Sequence, residues 1–202
     1  MTDNKRRLIF ATGNQGKMVE IREILKDLDV EVVSLKDINL EVDIEENGTT
    51  FEENAIIKAK AVMELTGEMV MADDSGLEVD YLGKAPGVYS ARYLGEDTPY
   101  SVKNNHIIKK LEGVVGQDRS ARFVSVIACV FPSGDIITTR GTIEGLIDYE
   151  EKGKNGFGYD PIFYVSECGC TTAELSLEEK NRISHRGKAL ARMKEELRKR
   201  GI

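Results

Sequence analysis

Two hydrophobic periods alternate along this chain. Leu8-Ile9-Phe10-Ala11 is a short apolar run closed by Thr12-Gly13-Asn14-Gln15-Gly16, the pattern of a strand and a glycine-containing turn. Met18, Ile21, Ile24, Leu25 and Leu28 then recur three and four apart, which predicts an amphipathic helix over about residues 17–28. Val30, Val32 and Val33 suggest a second strand. Thr50 and Glu53 form a capping box, so a helix should start there, bury Phe51, Ala55, Ala59 and Val62, and stop at Gly67. Met69 to Ala72 reads as a buried strand ending directly in Asp73-Asp74-Ser75-Gly76. Thr98-Pro99 supplies a cap and a first-turn proline for a helix to about Leu111. Arg122 to Phe131 is apolar on both faces, as a central strand requires. A turn at Pro132 to Asp135 leads to an antiparallel partner from Ile136 to Ile143. A glycine-rich charged loop from Glu150 to Asp160 precedes a strand at Ile162 to Val165. A second capping box, Ser176 with Glu179, opens a short helix, and Leu190, Met193 and Leu197 stripe a final one. The strand–loop–helix–strand opening predicts an α/β fold. With no repeat, linker or break in composition, residues 1–202 read as one domain.

Charge narrows the partners. With 28 basic and 35 acidic residues the chain carries a formal −7. Such a protein has no broad electrostatic pull on nucleic acid or on an anionic membrane. A polyanionic substrate would have to be met by local lysines, arginines, backbone amides and a metal. No apolar run approaches the ~20 residues of a membrane span, and the N-terminal segment lacks a signal-peptide core. A cytoplasmic location is therefore expected. The three cysteines, Cys129, Cys168 and Cys170, have no zinc-ligand spacing and read as reduced structural thiols.

Several loops carry candidate chemistry. Thr12, Gly13, Asn14, Gln15, Gly16 and Lys17 lie between a strand and a helix N-terminus, where amides and the helix end favour an anion. It is not a Walker loop, because the glycine spacing is too short and Met18 stands where a Ser or Thr would hold magnesium. The plain alternative is an ordinary strand-to-helix turn. Asp73 and Asp74 at a strand end would repel each other and invite a divalent cation, or would cap amides in a solvated turn. Glu41, Asp43, Glu45 and Glu46 form an acidic run, either a solvated loop or the source of one more metal ligand. Asn54 and Lys58, four apart, share a helix face from which the lysine reaches a phosphate or lies along the surface. Gly156-Phe157-Gly158-Tyr159-Asp160 holds two aromatics in a tight loop, suited to base stacking or to covering the next strand. Lys180, Ser184, His185 and Arg186 gather donors suited to an oxygen-rich base edge or to phosphates, the alternative being a surface helix end.

Taken together these motifs resemble the inosine/xanthosine triphosphate pyrophosphatase family, also called Ham1-like. The matching stretches are Ala11 to Lys17, Phe51 to Lys60, Ala72 to Asp80 with Ala85 to Tyr93, Asn155 to Phe163, and Ala173 to Arg186, in family order. The resemblance implies a mixed, bent sheet flanked by helices, two lobes with a substrate cleft, and a homodimer. It implies magnesium-dependent hydrolysis of ITP, dITP or XTP to the monophosphate and pyrophosphate. By that resemblance Thr12 to Lys17 bind the phosphates and Lys58 lies at them. Glu45 and Asp74 hold the metal. Asp74, with Asp73 beside it, serves the attacking water. Ser75 touches substrate, Phe157, Gly158, Tyr159 and Asp160 stack the base, and Lys180, His185 and Arg186 read it. One departure is visible. The family often has Pro-Arg-Gly before the Gly-Phe-Gly-Tyr loop, where this chain has Glu151-Lys152-Gly153. Lys152 or Lys154 can replace the arginine's charge. Two rival readings stand beside this one, a Maf-like pyrophosphatase acting on other modified nucleotides and a nucleotide-binding module without turnover.

Overall fold

The computed structural model describes residues 5–202. Its elements in chain order are β1 (Arg6–Phe10), α1 (Gln15–Leu25), β2 (Val30–Ser34), α2 (Phe51–Thr66), β3 (Met69–Val79), α3 (Tyr100–Lys110), β4 (Ser120–Val130), β5 (Ile136–Ile147), β6 (Phe163–Val165), β7 (Cys170–Thr171), α4 (Leu177–Ile183) and α5 (His185–Lys199), with short 3₁₀ turns between them. The seven strands form one sheet in the order β2-β1-β3-β4-β5-β6-β7. β1 is parallel to both β2 and β3, whereas β6 is antiparallel to both β5 and β7. The sheet is therefore mixed, as expected. The parallel part needs α1 and α2 as crossovers, while the short turn after Phe131 lets β5 return beside β4 as a hairpin.

The hydrophobic pattern explains these elements. α1 buries Met18, Ile21 and Leu25, and Asn14 caps its start. α2 buries Phe51, Ala55, Ala59 and Val62, is opened by the complete Thr50–Glu53 capping box, and ends on Gly67 at φ 66°. β4, fourth of seven strands, is buried along nearly its whole length. Two boundaries differ from expectation in ways that matter. β3 does not stop at Ala72 but runs on through Asp73, Asp74, Ser75 and Gly76 to Val79. α3 starts after Pro99, and the Thr98 hydroxyl donates to the Leu94 carbonyl instead of capping the helix.

The chain forms two compact units. The first contains residues up to Asp74, Ser125–Gly141 and Arg186–Ile202; the second contains Ser75–Val124 and Thr142–His185. The first packs Phe10, Met18, Ile21, Met71, Ile127 and Met193 into its core. The second packs Leu77, Ile107, Leu111, Phe123, Ile162 and Phe163. β3, β4 and β5 each contribute residues to both units. All three cysteines are free thiols. Cys129 is buried, which pushes its thiol up to about 12, and Cys168 is exposed. Among the described residues no helix is long and apolar enough to cross a membrane.

Candidate active site

In the first unit the turn from β1 into α1 leaves the α1 N-terminus open to solvent. Gly13 to Gly16 are exposed. The Thr12 hydroxyl accepts from the Asn14 amide at 3.2 Å, and the Asn14 side chain accepts from the Lys17 amide at 3.2 Å. No acidic residue occupies the first turn of α1, so the helix itself sets no negative charge against its N-terminal dipole.

Because β3 continues through the carboxylate pair, Asp73 and Asp74 project to opposite faces of the strand. They therefore have separate partners and do not form the paired turn site expected from adjacency. Asp73 is 2% exposed. Its Oδ1 accepts from Lys17 Nζ at 3.1 Å, and its Oδ2 accepts from Arg186 Nε and Nη2, each at 3.2 Å. Arg186 Nη1 donates to Glu20 at 2.8 Å. Burial opposes the Arg186 charge, but Asp73 and Glu20 outweigh it and hold its pKa above the usual value. Burial also dominates at Lys17, with Arg186 and Lys58 adding repulsion, and its pKa falls despite Asp73. The network Lys17–Asp73–Arg186–Glu20 thus crosses from α1 through β3 to the start of α5.

Asp74 faces α2. Lys58 Nζ lies 3.7 Å from Asp74 and donates to Glu46 at 2.9 Å. Asn54, one turn earlier, is fully buried and accepts from the Gly48 amide at 2.8 Å. A Cβ on Gly48 would lie 2.6 Å from the Asn54 oxygen, so only glycine lets the 46–48 loop close onto α2. Burial raises the Asp74 pKa above the usual carboxylate range, with Glu46 and Asp73 adding to it; Lys58 and the Asn54 amide pull the other way. Lys58 itself is disfavoured by burial, but Asp74, Asp73 and Glu46 overcome this and raise its pKa. Asn54 and Lys58 therefore share the α2 face that meets the 46–48 loop. Glu45 is exposed, whereas Glu46 is the half-buried carboxylate on Lys58 and in the field of Asp74.

Among the described residues no three His, Cys, Asp or Glu side chains gather into a preformed metal cage. The donors still suit a small hard cation. Asp74 and Glu46 bring two carboxylates to one ammonium, and ions of the magnesium type take one or two protein carboxylates and complete their shell with water and substrate phosphates.

The second unit holds the aromatic turn. Gly156 and Gly158 adopt φ of 74° and 70°. Asp160, 3% exposed, accepts from the Phe157 amide and from Lys180 Nζ at 2.8 Å each, and from the Thr172 hydroxyl at 2.8 Å. A Cβ on Gly156 would lie 2.2 Å from an Asp160 oxygen. The Lys180 ammonium also lies 4.7 Å from the centre of the half-exposed Phe157 ring. Asp160 and Lys180 are thus the internal frame of the turn, with Phe157 held out from it. The Tyr159 hydroxyl donates to the Ser90 carbonyl at 2.7 Å, which places Tyr159 in the core beneath. The His185 ring stacks on Phe123 at 4.8 Å and an interplanar angle of 18°. Ser75 is half-buried on β3 directly after Asp74.

Known proteins match this arrangement over most of its length. The family model described as the Ham1 family matches residues 8–196. The chain belongs to the Ham1 family. The dITP/XTP pyrophosphatase of Bacillus licheniformis is 50% identical over 188 residues, covering 93% of this chain and 96% of that protein. The protein of the same name from Desulforamulus reducens is 51% identical over 189 residues, covering 94% of each. Among solved structures, a HAM1 protein from Coxiella burnetii matches with a TM-score of 0.88 at 42% identity, covering 96% of this chain and 99% of that one.

Ham1 membership sets aside the Maf-like alternative. Within this Ham1 chain the first unit gathers Thr12 to Lys17, Lys58, Asp73 and Asp74, together with Arg186. The second gathers Phe157, Asp160 and Lys180 into one frame. Arg186 differs from its expected place among the base-reading donors, since three of its nitrogens bind Asp73 and Glu20. Glu20 is not among the residues the sequence motifs single out. The available signal was its position three residues after Lys17, on the same side of α1, beside the buried Ile21. Glu46 stands beside Glu45 in the acidic run, and nothing in the spacing separates two adjacent glutamates on an irregular loop.

Proposed function

We propose that this protein hydrolyses non-canonical purine nucleoside triphosphates, dITP, XTP and ITP, to the monophosphate and pyrophosphate. The observation that carries this reading is the division of labour between two adjacent carboxylates. Asp73 has both oxygens on cations, whereas Asp74 stands beside Lys58 with a pKa raised by burial, the property a general base needs. The Thr12 to Lys17 turn at the α1 N-terminus takes the phosphates. Lys17 and Lys58 neutralise charge that develops on the bridging and leaving oxygens. Magnesium is the ion assigned here; bound to Asp74 and to Glu45 or Glu46, it would supply charge neutralisation and in-line alignment of the phosphates. Asp74 orients the attacking water and accepts its proton.

The base falls to the second unit. The exposed side of Phe157 offers a stacking face, and His185 and amides of the turn offer donors, while Lys180 frames the turn from within through Asp160. Inosine and xanthine present an oxygen at the 6-position, whereas adenine presents an amino group that leaves a donor unmatched. Mismatch of this kind reaches ~10⁴-fold in kcat/KM. The working form is taken to be a cytoplasmic homodimer. The test is a panel of ITP, dITP, XTP, GTP and ATP with magnesium, assayed for pyrophosphate. ITP, dITP and XTP should lead by at least ~10²-fold. Equal kcat/KM for ATP and ITP, or monophosphate release without pyrophosphate, would overturn the reading.

A further inference from the structure

The inward face of α3 carries a buried amide that the chemistry above does not use. Asn104 is 1% exposed. Its Nδ2 donates to Glu151 Oε1 at 2.7 Å and to the Gly158 carbonyl at 3.3 Å. Its Oδ1 is buried without a hydrogen-bond partner among the described residues. A buried orphan acceptor is destabilising, and an apolar residue of the same shape would avoid it. The donor half of the amide is therefore what the position needs.

That donor meets the aromatic turn at Gly158. Gly158 sits in the left-handed region between Phe157 and Tyr159, and Tyr100 of the same helix lies against it, 3.5 Å from where a Cβ would stand. Asp160 braces the turn from the Lys180 side, through the Phe157 amide. Asn104 braces it from the α3 side, and its other partner, Glu151, lies in the stretch where this chain departs from the family's Pro-Arg-Gly.

We propose that Asn104, tied to Glu151, is a positioning residue for base recognition: it holds the Gly158 peptide and so sets the Phe157 ring for the purine. This rests on the reading above in which that turn takes the base. A brace of this kind affects base binding and leaves the phosphate chemistry alone.

The test uses the full-length protein with magnesium, the variants Asn104→Leu, Glu151→Gln and the pair, and two product inhibitors, inosine monophosphate and pyrophosphate. Asn104→Leu should raise KM for ITP and Ki for inosine monophosphate about tenfold, the equivalent of ~1.4 kcal/mol. The Ki for pyrophosphate should stay within about twofold. Glu151→Gln, an exposed site, should shift the same two constants by about threefold, and the pair should be no worse than Asn104→Leu alone, as coupled residues require. Unchanged constants in folded Asn104→Leu, or a parallel rise in the pyrophosphate Ki, would overturn the proposal. If Asn104→Leu does not fold, an unchanged inosine monophosphate Ki in Glu151→Gln overturns it. A wild type that releases no pyrophosphate from ITP would sink the functional reading, whereas an active wild type with indifferent variants sinks only this one.

Discussion

Replacing Arg186 by methionine should cost this protein more stability than any surface charge change. The guanidinium is 2% exposed and bridges Asp73, 2% exposed, to Glu20, 4% exposed. Three of its nitrogens donate, at 2.8, 3.2 and 3.2 Å. Methionine fills much of the volume but takes the guanidinium away from two buried carboxylates, Asp73 and Glu20. Breaking a buried pair by removing one partner costs about 3–5 kcal/mol, because the remaining charge is uncompensated. At about 2–4 °C per kcal/mol for a chain of this size, Tm should fall by roughly 6–20 °C. Differential scanning calorimetry at neutral pH measures it. Adding Glu20→Gln to Arg186→Met removes one of the stranded charges, so the double variant should be no less stable than the single. A Tm shift under ~2 °C for Arg186→Met, or strictly additive losses in the pair, would refute the claim that these groups form one buried network.

Asp74→Asn should reduce turnover by at least ~10²-fold with the fold intact, measured by pyrophosphate release. The same variant should raise Tm at neutral pH without divalent ions. A carboxyl whose pKa is raised by folding contributes stability only in its protonated form, below the unfolded carboxylate range, and that contribution is lost as pH rises through the folded value. The gain from asparagine should therefore vanish toward acid pH, and an unchanged Tm across the range would contradict the buried-charge account. Gly156→Ala introduces a Cβ 2.2 Å from an Asp160 oxygen at a φ of 74°. It should cost about 1–3 kcal/mol and raise KM for ITP more than it lowers kcat; a wild-type KM would show that the turn does not carry the base.

Much of this architecture was legible from local pattern. Helix caps announce themselves because their hydrogen bonds are made within four residues, so Thr50 with Glu53 and Ser176 with Glu179 could be read directly and both boxes are complete. The central strand was equally plain, since a strand buried on both faces has no room for polar alternation. The turn from β1 into α1 followed from the juxtaposition of a strand end, glycines and a helix start. The course of β3 did not follow, because two adjacent aspartates look like a turn until cations on both faces are in place. Only the folded chain brings Lys17 and Arg186 to one side of the strand and Lys58 to the other.

What the sequence determined by itself, then, is everything carried by short-range periodicity and capping: the elements, the α/β class, and the residue types of a nucleotide-hydrolysing site. What the tertiary structure decided is how those residues are used. Arg186 became a buried counter-ion, Asp160 and Lys180 an internal frame, and Glu46 the loop carboxylate that binds Lys58, because charge pairing and desolvation act through space between residues up to 166 positions apart. Spacing along a chain cannot show which cation will neutralise which buried carboxylate, because that pairing is made through space once the chain has folded.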